Sequence, residues 1–205
     1  MYTVQTLISL IDILLGPEGC PWDRKQTLKT IKGDLLEEAC EAIDAIESEV
    51  AEDIKEELGD VLFVILFLCR LTEKEKLGSL DEILQGISEK LIRRHPHVFE
   101  AKKDLSEHEL LEQWEAIKNE EKKRHPLEKI PKALPALSKG AEILKAAHKH
   151  QWKKKEMKIA DPEMQVGHEF FALIEKALDQ KIDPELALRR YLDSYLRTCL
   201  KSSIE

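Results

Sequence analysis

Leu35-Leu36-Glu37-Glu38-Ala39-Cys40-Glu41-Ala42-Ile43, followed after a short polar stretch by Lys55-Glu56-Glu57-Leu58-Gly59-Asp60-Val61-Leu62-Phe63, decides how this chain is read. Each segment places carboxylates three and four residues apart, spacings that fall on one face of a helix. Glu38 and Glu41 are i, i+3, and Glu37 and Glu41 are i, i+4; Glu57 and Asp60 repeat the i, i+3 step. Apolar residues at helical spacing flank both segments: Ile31, Leu35, Ala39, Ala42, Ile43 and Ile46 in the first, and the run Val61 to Cys69 in the second. The turn between them, Ser48 to Glu52, is short, so the two helices are expected to be antiparallel neighbours. Four carboxylates, Glu38, Glu41, Glu57 and Asp60, then converge where two helices meet.

Helical signals extend outward on both sides. Val4, Leu7, Ile8, Ile11, Leu14 and Leu15 predict an amphipathic first helix, ended by Gly16, Pro17 and Gly19. Cys20-Pro21-Trp22-Asp23 reads as a loop, and Thr27 as the cap of the helix running to about Ile46. Asp53, with Glu56 three positions on, predicts a capped start for the next helix, which reaches about Leu71 and is apolar all round after Asp60. A helix from Leu80 to Arg94 stops at His95-Pro96, and Ser106-x-x-Glu109 opens another. Arg124 to Pro135 holds three prolines and reads as a linker, after which helical patterns cover Ala136 to Trp152 and Glu163 to Leu200. No strand-like alternation of useful length occurs, so the fold class is an all-α bundle.

Composition agrees. Of 205 residues 35% are charged and 5% aromatic, with 8 glycines, a balance that favours helices over sheets. The net charge of −8 argues against direct nucleic-acid binding, which uses a basic surface. It leaves a phosphate ligand open, because a bound cation inverts the local sign. The four cysteines form no C-x-x-C pair, and Cys40 and Cys69 sit among apolar helical positions as small hydrophobes, which points to a reducing compartment. The N-terminus has no basic start and is interrupted by Asp12, and no apolar run is long enough to span a bilayer. A cytoplasmic protein without a membrane partner is the expectation.

Carboxylates packed this closely against apolar residues repel one another and call for a cation. All-oxygen ligands suit Mg²⁺, with Mn²⁺ as a substitute, and Mg²⁺ characteristically completes its shell with water and substrate phosphate oxygens. A single Glu-rich helix is usually a solvated face; two such clusters on adjacent helices, each abutting an apolar run, argue for a site. A ferritin-like di-iron site requires Glu-x-x-His, and none of the seven histidines has Glu three residues before it. Gly59 is expected to let the helices approach closely beside the metal. Further on, Lys90, Arg93 and Arg94 cluster before His95 and His97, and Trp114 and Lys118 share a face of their helix. Cations at a helix C-terminus complement its dipole; facing an acidic metal cluster they also suit a polyphosphate. His95 and His97 read as structural or surface residues. Trp22 is a loop aromatic beside an acid.

These residues resemble the MazG-like nucleoside triphosphate pyrophosphohydrolases. Glu37-Glu38-x-x-Glu41 and Glu57-x-x-Asp60 match that family's E-E-x-x-E … E-x-x-D signature. Gly19-Cys20-Pro21-Trp22-Asp23, Gly59-Asp60-Val61-Leu62-Phe63, Arg93-Arg94-His95-Pro96-His97-Val98-Phe99, Trp114-Glu115-x-x-Lys118 and Ile130-Pro131-x-x-Leu134-Pro135-Ala136-Leu137 look like MazG itself. The resemblance covers about Leu7 to Leu137. It implies a helical, four-helix-bundle-like, dimeric or higher homo-oligomeric, Mg²⁺-dependent enzyme that cleaves a nucleoside triphosphate to the monophosphate and pyrophosphate. On this pattern Glu38, Glu41, Glu57 and Asp60 are the metal ligands. Glu37 and Glu56 are the candidates for orienting or deprotonating water, while Lys90, Arg93, Arg94, Trp114, Lys118 and Trp22 are the candidate substrate contacts. A narrower (deoxy)pyrimidine triphosphatase shares the carboxylate signature, and a degenerate, non-catalytic interaction module is a further alternative.

The C-terminal part echoes the first. Gly167-His168-Glu169-Phe170-Phe171-Ala172-Leu173 is similar to Gly59-Asp60-Val61-Leu62-Phe63-Val64-Ile65. The resemblance implies a shortened second copy of the same domain: His168 stands where Asp60 stands, no E-E-x-x-E helix precedes it, and Ser194 and Thr198 stand where Lys90 and Arg94 do. The expected division is a catalytic domain over 1–124, a linker over 125–135 and the degenerate repeat over 136–205.

Overall fold

The computed structural model describes residues 1–100, 105–121, 125–152 and 157–202, without the side chains of 119–121 and 201–202. Every extended regular element among them is helical, as the periodicities require. The chain divides into two units, Met1–Lys118 and Asn119–Glu205. The boundary expected at Arg124 lies outside the described residues.

In the first unit, α1 (Val4–Leu15), α2 (Leu28–Ser48) and α4 (Leu80–Arg94) all contact α3 (Ala51–Lys74). Thr3, Thr27 and Ser79 cap α1, α2 and α4 through reciprocal capping boxes. Each supplies a side-chain acceptor to an otherwise unpaired backbone N–H. The core joins Ile11 of α1 and Ile31 of α2 to Val64, Leu66, Phe67 and Leu71 of α3. Burying such a side chain contributes roughly 1.5–3 kcal/mol, so α3 is held chiefly by its apolar C-terminal half.

Polar groups at the end of α3 fix its neighbours. Arg70 pairs with Asp12 of α1 at 2.6 Å and with Glu73. Lys74 Nζ donates to the Arg24 carbonyl at 2.8 Å, Leu28 N donates to Glu75 at 3.1 Å, and Leu80 N donates to Glu73 at 2.8 Å. These bonds anchor the loop after α1 and the starts of α2 and α4 to one helix end. Within that loop Gly19 lies so close to α1 that a Cβ would stand 2.2 Å from the Leu14 carbonyl oxygen. No larger residue fits this approach, which sets the path into the 3-10 turn Asp23–Lys25.

Three expectations are corrected. Asp53 does not cap α3: the helix starts at Ala51, with Val50 at the cap position and no side-chain capping bond. Left-handed Glu49 (φ 59°) reverses the chain earlier than supposed, and Glu52 and Asp53 fall in the first turn, where the helix dipole favours acids. The second half of α3 is not buried all round, since Leu62 and Ile65 are exposed. Gly59 allows no close helix approach, because a Cβ there would meet nothing within 4 Å. After α4 come the short α5 (Pro96–Phe99) and the longer α6 (Glu107–Glu121), opened by the expected Ser106–Glu109 bonds.

In the second unit, past the end of α6, a 3-10 turn, Pro126–Lys129, lies inside the expected linker and is followed by α7 (Ala136–Lys149), α8 (Pro162–Asp179) and α9 (Pro184–Ser202). α7 ends three residues before Trp152, where Gln151 turns left-handed (φ 51°). Its small core is Ala141, Leu144 and Ile174, with Leu137 and Leu178 against it. Gly140 is required at that contact: a Cβ would lie 2.6 Å from Ile174 Cδ1. Glu185 at the start of α9 accepts from both Ser138 N and Oγ at 3.2 Å, tying α9 to α7.

Candidate metal centre and cavity

The turn at Glu49 folds α3 back along α2, and their carboxylates meet as the i, i+3 spacing requires. Oxygens of Glu38, Glu41 and Glu57 all lie within 4.8 Å of one another. Asp60 stands outside that triad but lines the same cavity as Glu38. Removal from water pushes the Glu38 carboxyl above its usual range, and the charges of Asp60, Glu41, Glu37 and Asp34 push it further. Glu57 is raised by the same causes, removal from water first, then Glu41, Asp60, Glu56 and Glu38. Its Oε2 is covered from solvent and has no hydrogen-bond partner. An orphaned oxygen on a carboxylate gathered with two others is costly unless a cation joins them. A hard divalent cation fits this set, because every donor is an oxygen. Glu37 and Glu56 are exposed beside the triad, each on the residue preceding a ligand candidate.

A cavity of about 340 Å³ opens beside Glu38. Ile31, Phe63, Val64 and Phe67 form its apolar walls, while Trp22 and Asp23 enter from the loop after α1. Asp34, Glu37 and Asp60 complete its lining. Trp22 is exposed at 61%, whereas Asp23 is buried at 8%. Sequence reasoning missed Asp34 and Asp23. Asp34 lies four residues before Glu38, so extending the i, i+4 pattern backwards finds it; nothing in the loop sequence marks Asp23 as buried.

The basic residues gather elsewhere in the same unit. A second cavity, of about 370 Å³, is lined by Arg94, His95, His97, Glu107, Leu110 and Trp114, among others. Lys118 Nζ lies 4.5 Å and Arg94 Cζ 5.6 Å from the centre of the Trp114 ring, both within cation–π range. His95 Nδ1 is 2.7 Å from the Leu91 carbonyl oxygen and His97 Nδ1 is 3.1 Å from Gln113 Nε2, contacts that suit structural histidines. Lys90 and Arg93 sit on α4 and line neither cavity.

Residues 26–99 match the family model of the MazG nucleotide pyrophosphohydrolase domain. The chain is 35% identical over 207 aligned positions to the nucleoside triphosphate pyrophosphohydrolase/pyrophosphatase MazG of Thermotoga maritima, covering 91% of this chain and 80% of that protein. It is 41% identical over 150 positions to the nucleoside triphosphate pyrophosphohydrolase of Escherichia coli K12, covering 71% of this chain and 57% of that one. The crystal structure of a mazG-related protein from Thermotoga maritima superposes with a TM-score of 0.51 at 25% identity, covering 56% of this chain and 98% of that chain. The chain spans 44% to 57% of the length of several curated relatives that it matches.

Proposed function

The chain belongs to the MazG family, and from that premise we propose that it hydrolyses nucleoside triphosphates to the monophosphate and pyrophosphate in a Mg²⁺-dependent reaction. One observation carries this reading: Glu38, Glu41 and Glu57 converge, and one oxygen of Glu57 is buried and unpartnered. These three residues, with Asp60 beside them, would hold the cation, with Mn²⁺ as its substitute. When bound, it neutralises phosphate charge and acidifies water. Glu37 and Glu56, solvent-exposed and adjoining the triad, are placed to orient the attacking water and accept its proton. The water oxygen bonds to phosphorus as the anhydride bond between the α- and β-phosphates breaks, and pyrophosphate leaves with the electron pair. Lys90, Arg93, Arg94 and Lys118 serve the triphosphate charge, Trp114 holds two of these cations by its ring, and Trp22 borders the nucleoside end.

A homodimer belongs to the same proposal. α4 buries none of its residues, and Ile83, Leu84, Ile87, Leu91 and Ile92 are exposed along it. A patch of that extent is uncommon on a monomer, and a second copy of the chain is the occupant we propose. No helix among the described residues is long and apolar enough to cross a membrane. None of the four cysteines is in a disulfide, which supports a reducing, cytoplasmic setting. The C-terminal unit is proposed as the degenerate repeat, without a reaction of its own.

Pyrophosphate release from a panel of ribo- and deoxynucleoside triphosphates, with and without Mg²⁺, tests the reading. Release that requires the metal and leaves the monophosphate is the expected outcome. Turnover confined to deoxypyrimidine nucleotides indicates the narrower enzyme, and metal binding without turnover overturns the proposed reaction.

A further inference from the structure

The net charge of −8 averages two unlike units. Met1–Lys118 carries 26 carboxylates against 14 lysines and arginines, whereas Asn119–Glu205 carries 14 carboxylates against 18. Twelve of those 18 cations lie within residues 122–158, together with three carboxylates. Charge asymmetry of this kind between the halves of a chain points to a polyanionic partner for the basic half. The expectation against nucleic acid that follows from the whole chain therefore does not extend to the second unit taken alone.

Lys145 and Lys149 are exposed near the end of α7 and stand i, i+4, so they share a face one turn apart. Glu142 pairs with Lys145 at 2.9 Å, an exposed contact of little strength that a phosphate can replace. The helix dipole by itself accounts for a cation at this end, but not for the rings that follow. The chain turns at left-handed Gln151 (φ 51°), and Trp152 N donates back to the Ala147 carbonyl at 3.0 Å. This return sets the indole against two imidazoles. His150 lies 5.0 Å from Trp152, centre to centre, with 17° between the ring planes, and His125 lies 5.1 Å away with 15°. His125 arrives from before the 3-10 turn, and its Nδ1 accepts from Leu127 N at 3.3 Å, which fixes the ring. Trp152 is half-buried while His125 and His150 are exposed, so three flat rings make one surface that reaches water.

Lysines along a helix face followed by exposed, stacked rings are the parts that an unpaired nucleic-acid strand requires: cations meet its phosphates, and a base continues the ring stack. An acidic protein uses the lysines and has no need of the rings. An anionic membrane favours apolar side chains turned outward, whereas α7 packs Leu137 and Leu144 into the core of its unit. We infer that the end of α7, with the stack of His125, Trp152 and His150, is a docking surface for single-stranded nucleic acid. Lys145 and Lys149 contact phosphates there, and the two histidines present their rings to unpaired bases. The surface binds with little sequence selection, since every base has a face to stack. Its binding needs neither the metal nor the proposed triphosphate reaction.

Fluorescence anisotropy of a labelled single-stranded oligoadenylate of about 12 nucleotides, with hydroxyl ends and in EDTA, tests the inference on the full chain. The strand should bind. Paired with its complement it should bind at least about tenfold more weakly, and linear polyphosphate of equal charge should compete poorly, because neither offers bases to stack. His150→Ala should weaken binding about tenfold, the loss of one stacked base. Lys145→Gln/Lys149→Gln should lower the slope of log affinity against log salt by about 1.4, since each phosphate contact on a single strand contributes about 0.7. Circular dichroism and pyrophosphate release should be unchanged in both variants, which a loss of fold would not permit. Polyphosphate or phosphatidylserine vesicles competing as well as the oligonucleotide would mean that the surface reads charge alone and would overturn the inference. Unaltered affinity in both variants, or no binding at about 50 mM salt, overturns it as well. If His150→Ala does not fold, the lysine pair and the competition on the unaltered chain decide. If the unaltered chain releases no pyrophosphate, the proposed reaction fails, and the binding measurements decide this inference separately.

Discussion

The two units treat similar sequence in opposite ways. In the first, α3 packs against α2 and contacts α1 and α4, and Val64, Leu66, Phe67, Cys69 and Leu71 are buried. In the second, α8 carries the matching run Gly167 to Leu173, but Ile174 is the residue it buries, while Phe170 and Leu173 stay more than half exposed. The missing partner explains the contrast: nothing like α2 lies between α7 and α8 in sequence. Without it there is no second carboxylate helix, and α8 is covered by α7 only around Ile174 and Leu178. The proposed metal site is therefore a property of a helix pair, since one helix alone supplies neither all the carboxylates nor the burial of Glu57.

The largest expected effect separates the units by chemistry. Glu57→Gln keeps size while removing a proposed charged ligand, and its pyrophosphate release should fall at least about 100-fold. His168→Ala, at the position of α8 that follows Gly167 as Asp60 follows Gly59, should leave the rate unchanged. Scanning calorimetry without metal should show Glu57→Gln unfolding no earlier than the unaltered chain, since the charge it deletes is one the fold disfavours. Retained activity in Glu57→Gln, or a lost rate in folded His168→Ala, breaks the comparison.

A smaller effect separates the units by packing, through two helical glycines. Gly59→Ala meets open space and should stabilise the chain by up to about 1 kcal/mol from helix propensity. Gly140→Ala drives a methyl against Ile174, and overpacking costs of roughly 1–3 kcal/mol cancel or exceed the same gain. Urea unfolding of both variants should therefore move in opposite directions, or Gly140→Ala should not move at all. Stabilisation by both would mean that the α7–α8 contact is loose.

The smallest effect concerns the cap of α6. Hydrogen bonds from Ser106 hold the Glu109 carboxyl below its usual range. A depressed folded value means a contribution to stability that is present above the usual glutamate range and is lost as pH falls through the folded value. Ser106→Ala should raise the Glu109 titration midpoint, followed by carboxyl ¹³C shifts, and remove that part of the acid sensitivity. α8 is capped by Asp161, which accepts from Met164 N at 2.8 Å, so its helix start should be indifferent to Ser106→Ala.

Much of the fold is legible from local signals. α1 and α4 run over the residues their apolar spacing and breakers indicate, because caps, prolines and glycines act within a turn of where they stand. Asp53 misled because a capping-box pattern is equally compatible with acids in a first turn, and the left-handed Glu49 that decides the matter has no sequence signature. Gly59 misled because a glycine's reason depends on what lies opposite it, which in this case is open space.

Helical periodicity and the spacing of Glu38, Glu41, Glu57 and Asp60 fix, without coordinates, an all-α chain with acidic faces, since both follow from a repeat of 3.6 residues per turn. Which acids meet is another matter. Rotation of α2 against α3 by a fraction of a turn exchanges one carboxylate for its neighbour, and core packing around Ile31, Val64 and Phe67 selects the rotation that gathers Glu38, Glu41 and Glu57 and sets Asp60 at the cavity. The burial of Asp23 has the same origin. It depends on Gly19 against α1 and on Lys74 reaching back to the Arg24 carbonyl, contacts between residues up to 50 positions apart that no local pattern encodes.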